Sequence, residues 1–225
     1  MRVSTGRPSG TTPAAWSPRP LAARFGQLLA GLFLFGISNA FMVRADLGLD
    51  PWNALHQGLA RQTTLAIGTW SIIVGAVVLL SWIPLRQRPG VGTVCNVVLI
   101  GVSLNLVLEV LPAHPGLAVR WLYLVSGILL CGIATGAYIG ANLGPGPRDG
   151  LMVGLARRGH SIRVVRTAIE LAVLLSGFLL GGTVGVGTVL FALAIGPIAH
   201  VTIPAFSRRR MVGVPRTEEL ACASG

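Results

Sequence analysis

Two short stretches of this chain place polar residues at matched positions, and they are near-copies of each other. The first reads Ala-Asp-Leu-Gly-Leu-Asp-Pro-Trp-Asn-Ala-Leu-His-Gln-Gly-Leu-Ala-Arg over residues 45–61; the second reads Ala-Asn-Leu-Gly-Pro-Gly-Pro-Arg-Asp-Gly-Leu-Met-Val-Gly-Leu-Ala-Arg over 141–157. Nine of these 17 positions are identical, against roughly one or two expected by chance, so the chain contains an internal repeat. Each copy carries a Pro suited to a first helical position, and Asp50 can cap the first helix. Residues 51–61 would make a helix about 16 Å long, half of a bilayer core. The six residues before it reach about 20 Å if extended, enough to arrive at the midplane. In a re-entrant arrangement the chain turns at Asp50-Pro51 and again at Gly146-Pro147, and two half-helix N-termini meet. Their free N–H groups and dipoles favour an anionic group. Asp50, Trp52 and Asn53 would then face Arg148 and Asp149, a set suited to a small polar or zwitterionic substrate. The alternative lays both segments flat at the membrane interface as amphipathic connectors.

A second constellation is Arg166 with Glu170. Four residues apart on one helix face, they can pair, and charges inside apolar segments are costly enough to need a reason. One reason is coupling or gating; the other is a structural lock onto Asp149 or Arg148. At an offset of 96 the first half has Trp70 and Val74 in these places, so the repeat itself does not require the pair. Asn96 and Asn105 read as bridges between helices, Glu109 as a residue reaching outer water, and His200 as a core histidine. His56, His114 and His160 fall in loops or at helix ends.

No enzyme constellation is present: the chain lacks Gly-x-Ser-x-Gly, His-Glu-x-x-His and a phosphate loop. Cys95, Cys131 and Cys222 have no metal-ligand spacing. The expectation is a protein that is not an enzyme and takes no metal or cofactor.

The elements that must position these residues follow from composition. Of 225 residues, 52% are hydrophobic and 11% charged, well below the roughly 25% charged of a soluble domain. Six apolar runs, about 24–43, 65–85, 91–111, 121–139, 164–181 and 183–206, approach the ~20 residues a spanning helix needs. Lipid offers no partner to free backbone amides, so these runs are predicted to be helical. The domain reading is a disordered tail over 1–23, membrane repeats over 24–111 and 121–206 joined by 112–120, and a second tail over 207–225. All 18 basic residues are Arg and the net charge is +11. They sit in tails and short loops, which fits anionic lipid headgroups rather than nucleic acid. With the N-terminus inside, 15 Arg fall on inner segments and three on outer ones, so both termini are predicted to be cytoplasmic.

The repeat also relates Gly36-Ile37 to Gly132-Ile133, and Gly90-Val-Gly-Thr-Val94 to Gly185-Val-Gly-Thr-Val189 at an offset of 95. Each half therefore holds three spans. Three is odd, so the second half would thread the bilayer in the opposite sense. The predicted fold is an all-α polytopic membrane protein of about six helices in two inverted-topology repeats, each with a short interrupted or re-entrant helix.

Residues 45–55, Gly-Val-Gly-Thr-Val over 90–94, and Leu-Gly-Pro-Gly-Pro-Arg-Asp-Gly-Leu-Met over 143–152 resemble the YczE/YyaS/YitT group of bacterial integral membrane proteins. The likeness covers about residues 24–206, and Gly-Pro-Arg-Asp-Gly-Leu-Met is its most specific part. It implies a multi-pass protein of the bacterial cytoplasmic membrane. One departure is Asn53, where Asp is common in the group. Repeated halves with interrupted segments are a transporter architecture, so the expected function is that of a small secondary transporter or permease. The alternative is a non-transporting accessory that contacts itself or a membrane partner protein through Gly-rich helix faces.

Overall fold

The computed structural model describes residues 20–113, 115–159 and 161–207. Residues 1–19 and 208–225 of the two tails, together with His114 and His160, lie outside these residues, whereas 21–23, read as part of the disordered tail, form the first turn of α1. Among the described residues the chain forms eight helices: α1 (Leu21–Ala45), α2 (Pro51–Arg61), α3 (Ile67–Leu80), α4 (Val91–Val110), α5 (Leu117–Gly140), α6 (Pro147–Ala156), α7 (Ile162–Leu179) and α8 (Val186–Ser207).

Four of them, α1, α4, α5 and α8, are long and apolar enough to cross a membrane. Two of the six expected spans come out shorter or more polar. α3 has 14 residues, about 21 Å at 1.5 Å each. Its run gives way to turns before Pro84, because a residue preceding proline disfavours the helical region. α7 has 18 residues, and Arg163, Arg166 and Glu170 lie in its first half. α8 starts three residues later than its apolar run, because Leu49 N donates to Thr183 O and Gly187 N to Leu47 O, tying this stretch to the loop before α2.

Polarity is arranged for a lipid surround. Large apolar side chains such as Leu80, Val110, Leu122, Leu171, Leu193 and Val201 point outward at more than half exposure, while Ser38, Asn39, Asp50, Asn53, His56 and Asn96 are buried. An apolar exterior of this extent is an aggregation hazard in water and the normal state in hydrocarbon.

α1 and α5 form the central pair, with α4 packed on α1 and α8 packed on α5. The short helices cross over: α2 lies on α7 as well as on α3, and α6 lies on α3 as well as on α7. Contacts repeat along with the sequence. Arg24 Nε donates to Ala141 O at 2.9 Å, and Arg120 Nε to Ala45 O at 2.7 Å. Gly92 N donates to Leu143 O at 3.0 Å, and Gly187 N to Leu47 O at 2.8 Å. The turns into α2 and α6 use left-handed residues in the same order, Asp46 then Gly48 and Asn142 then Gly144. Asp and Asn tolerate that region, whereas φ of +124° at Gly48 and +131° at Gly144 favours glycine.

Candidate functional site between the two short helices

The tip of α2 is built by its own sequence. Asp50 is extended, at φ −61° and ψ 158°, and its side chain accepts from Asn53 N, with Pro51 following at the first helical position. Asn53 Nδ2 also donates to Asp50 Oδ1 at 2.5 Å. The tip of α6 has the same Pro, but Gly146 stands where the cap would be, so no side chain occupies its end. Trp82 holds this tip: its Nε1 donates to Pro147 O at 3.0 Å, and its ring lies against Gly150, where a Cβ would collide with it.

The two tips meet. Arg148 Nη1 is 3.8 Å from Asp50 Oδ2, and its guanidinium sits 4.8 Å from the centre of the Trp52 ring. Asp149 Oδ2 accepts from Tyr138 Oη at 3.1 Å. Asp50, Trp52 and Asn53 are buried, and Arg148 and Asp149 are partly so. The five candidate residues are thus gathered at one place, with opposite charges side by side and an aromatic face beneath the cation.

Asp50, Trp52, Arg148 and Asp149, but not Asn53, border a cavity of about 780 Å³ that reaches from α1 and α5 to α7 and α8. Asn39 and His56, each 1% exposed, also line it. Neither polar atom of the Asn39 side chain nor either ring nitrogen of His56 finds a hydrogen-bond partner. Buried polar groups left this way cost about 1–3 kcal/mol each, and a ligand or water in the cavity would relieve that cost. The cavity offers no acidic or sulfur cluster for a metal: among the described residues no group of three His, Cys, Asp or Glu could hold one.

Arg166 and Glu170 line another wall of the same cavity. Arg166 Nε donates to Glu170 Oε1 at 3.0 Å. No ion pair ties them to Asp149 or Arg148 among the described residues, so the alternative lock is not formed. Their matching positions also change. The helix starts Ile67 and Ile162 are 95 apart, and the contacts Gly58 with Leu180 and Gly154 with Leu85 fit the same offset. Arg166 and Glu170 therefore correspond to Ser71 and Gly75, not to Trp70 and Val74; the one-residue shift seen at Gly90 and Gly185 begins before α3 and α7.

Asn105 bridges α4 to α3, accepting from Gly68 N at 2.8 Å, whereas Asn96, also read as a bridge, and His200 line the cavity. Asn39, His56, Trp82 and Tyr138 are site residues that sequence reasoning missed. A signal existed for Trp82, since it matches Gly177 at the 95 offset and Gly150 matches Ala54, an exchange of bulk across one contact.

A family described as "Family of unknown function (DUF6198)" matches residues 22–204. An "Uncharacterized protein" of Haemophilus influenzae is 43% identical over 182 residues, covering 80% of this chain and 84% of its own length. The "Uncharacterized membrane protein YczE" of Bacillus subtilis is 35% identical over 188 residues, covering 82% and 87%. The "Uncharacterized protein YyaS" of the same organism is 24% identical over 185 residues, covering 79% and 91%. No solved structure matches. The resemblance to the YczE and YyaS group holds, and the chain is a helical membrane protein set in a lipid bilayer.

Proposed function

The chain belongs to the DUF6198 family, and from there we propose that it is a small secondary transporter of the cytoplasmic membrane. Its substrate site lies between the tips of α2 and α6, and its two halves thread the bilayer in opposite senses. The observation that carries this reading is the meeting of two repeat-related helix starts at one cavity. Discontinuous helices meeting at the junction of repeats are how transporters build a central site. The recurrence of the same hydrogen bonds at offsets of 96 and 95 supports two equivalent halves. An odd number of crossings per half then requires opposite insertion, with α3 and α7 as the shorter crossings. Both termini are cytoplasmic by the arginine distribution.

In this reading a carboxylate or phosphate on the substrate takes the Arg148 fork and the uncapped N–H groups of α6. An ammonium takes Asp149 and Asp50. Trp52 supplies a flat face, and Asn39 and His56 supply hydrogen bonds. Arg166 and Glu170 gate or couple, since breaking their pair frees two charges toward the cavity. Comparing metabolites inside and outside cells with and without the protein identifies the substrate without guessing it. Arg148→Ala and Asp149→Asn proteins that insert normally should then lose the flux; unchanged flux rejects the assignment.

The second reading is an accessory protein that works through helix contacts. It is favoured by the scarcity of buried residues on α7 and α8, where Gly177, Gly187 and Thr188 are the buried ones described. Cysteines placed at 53 and 149 that resist aqueous thiol reagents from both sides would select it.

A further inference from the structure

The two halves are alike at the tips and differ in one packing interface. α3 and α4 are closed against each other: Gly68 N donates to Asn105 Oδ1 at 2.8 Å, and a Cβ on Gly101 would collide with Gly68 O and Ile72. The corresponding helices α7 and α8 share almost no packing. Gly101 corresponds to Gly196, where a Cβ would meet nothing within 4 Å. Gly68 and Gly75, the small residues that let α3 approach, correspond to Arg163 and Glu170. Val102 corresponds to Pro197, which removes a helical hydrogen bond from α8 at this level.

The central cavity runs out through this gap. Leu171 and Thr167 on α7 and Gly196 on α8 line it and are at the same time exposed. The outer faces of α7 and α8 carry exposed Leu171, Leu175, Leu193 and Val201, and in the membrane reading the gap between these helices opens toward hydrocarbon. Its walls are mostly apolar, with Leu171 and Leu174 on one side and Phe191, Ile195 and Ile203 on the other, interrupted by Thr167 and the Arg166–Glu170 pair on α7 and by His200 on α8. At its inner end are Arg148, Asp50, Asn39 and His56. One continuous space therefore holds the Arg148–Asp50 pair and unpartnered hydrogen-bonding groups at one end, and at the other a largely apolar cleft edged by the Arg166–Glu170 pair.

We infer that the cavity takes a single-chain zwitterionic amphiphile sideways from the bilayer, its head at Arg148 and Asp50 and its chain in the cleft between α7 and α8. A head group alone would leave the apolar walls facing lipid. A chain alone would leave Asn39 and His56 without partners. An amphiphile satisfies both ends, and it arrives already dissolved in the phase that the cleft faces. The placement of the head rests on the transporter reading; the cleft does not.

The test uses the full chain in phosphatidylcholine nanodiscs, with lysophosphatidylcholine carrying a diazirine midway along its chain as the probe. After photolysis, adducts should concentrate on peptides containing Leu171 and Ile195. Gly196→Trp, at a position where a Cβ would meet nothing within 4 Å, should cut them by roughly tenfold, Gly196→Ala should leave them unchanged, and Arg148→Ala should lower them. Thermal unfolding of each variant confirms that it is folded. Adducts spread evenly over lipid-facing residues such as Leu106 and Leu122, and indifferent to Gly196→Trp, overturn the inference. A dimer that Gly196→Trp dissociates assigns the cleft to a second copy and overturns it as well. Glycerophosphocholine, the head without the chain, separates the two levels. If it binds in an Arg148-dependent way while the lysophosphatidylcholine adducts are indifferent to Gly196→Trp, the amphiphile falls and the central site stands. If Arg148→Ala changes neither ligand, the central site falls too.

Discussion

Arg148 and Trp52 occupy the same place in the two copies of the repeat, the second residue of a half-helix, and they stack on each other with the guanidinium 4.8 Å from the indole centre. Selection for fold alone would be met by two identical small residues at this meeting point. A cation on one tip and an aromatic face on the other make the junction chemically asymmetric, as a site for one oriented ligand requires.

Arg148→Ala should destabilise the protein by about 2–4 kcal/mol, because it leaves the buried Asp50 carboxylate facing no cation. Adding Asp50→Asn should restore much of that stability in thermal unfolding and none of the flux. Arg148→Lys should retain part of the stability and lose most of the activity, since an ammonium cannot stack and fork together.

Asn39→Leu should raise thermal stability while lowering flux. The change removes two buried polar atoms that have no protein partner, each of which costs about 1–3 kcal/mol when unsatisfied. Stability and activity falling together would mean that Asn39 is structural.

Gly150→Ala should be strongly destabilising, since its Cβ would enter the Trp82 ring. Trp82→Leu should suppress that defect while itself losing about 1 kcal/mol from the bond to Pro147 O and more from the emptied volume. The comparison is made by urea or dodecyl sulfate unfolding of the two single variants and the double.

Arg24→Ala and Arg120→Ala should weaken opposite tips. Arg24 holds the carbonyls of Ala141 and Asn142 ahead of α6, and Arg120 those of Ala45 and Asp46 ahead of α2. Protease cleavage or hydrogen exchange should rise near 141–147 in the first variant and near 45–51 in the second.

In a cysteine-free background, single cysteines at Gln62 and Arg158 should be labelled by an impermeant thiol reagent from opposite faces of the membrane. Labelling from one face removes the opposed insertion of the two halves.

Much of this was legible because a repeat doubles the signal. The shared Leu-Gly and Pro of the two copies foretold two matched turns leading into two short helices, and the differing residues after each Pro named the polar groups that meet. The register of α7 was not legible, because a shift of one residue between apolar runs leaves hydropathy unchanged; contacts between Gly58 and Leu180 and between Gly154 and Leu85 were needed to see it. His56, read as lying in a loop or at a helix end, is buried in the middle of α2, and Asn39 was missed for a related reason. In an apolar helix a polar residue can face lipid, a neighbour or a cavity, and only packing decides. Trp82 was passed over among apolar residues, yet it is 2% exposed and supports the α6 tip.

The exchange of short helices, α2 against α7 and α6 against α3, has a consequence for biogenesis. Neither half can complete its packing alone, because each short helix lies partly on its own half and partly on the other. The first half must wait, inserted but unfinished, until residues 147–156 have been synthesised. Severing the chain in the connector near residue 114 should accordingly yield two fragments that are degraded singly and survive when made together.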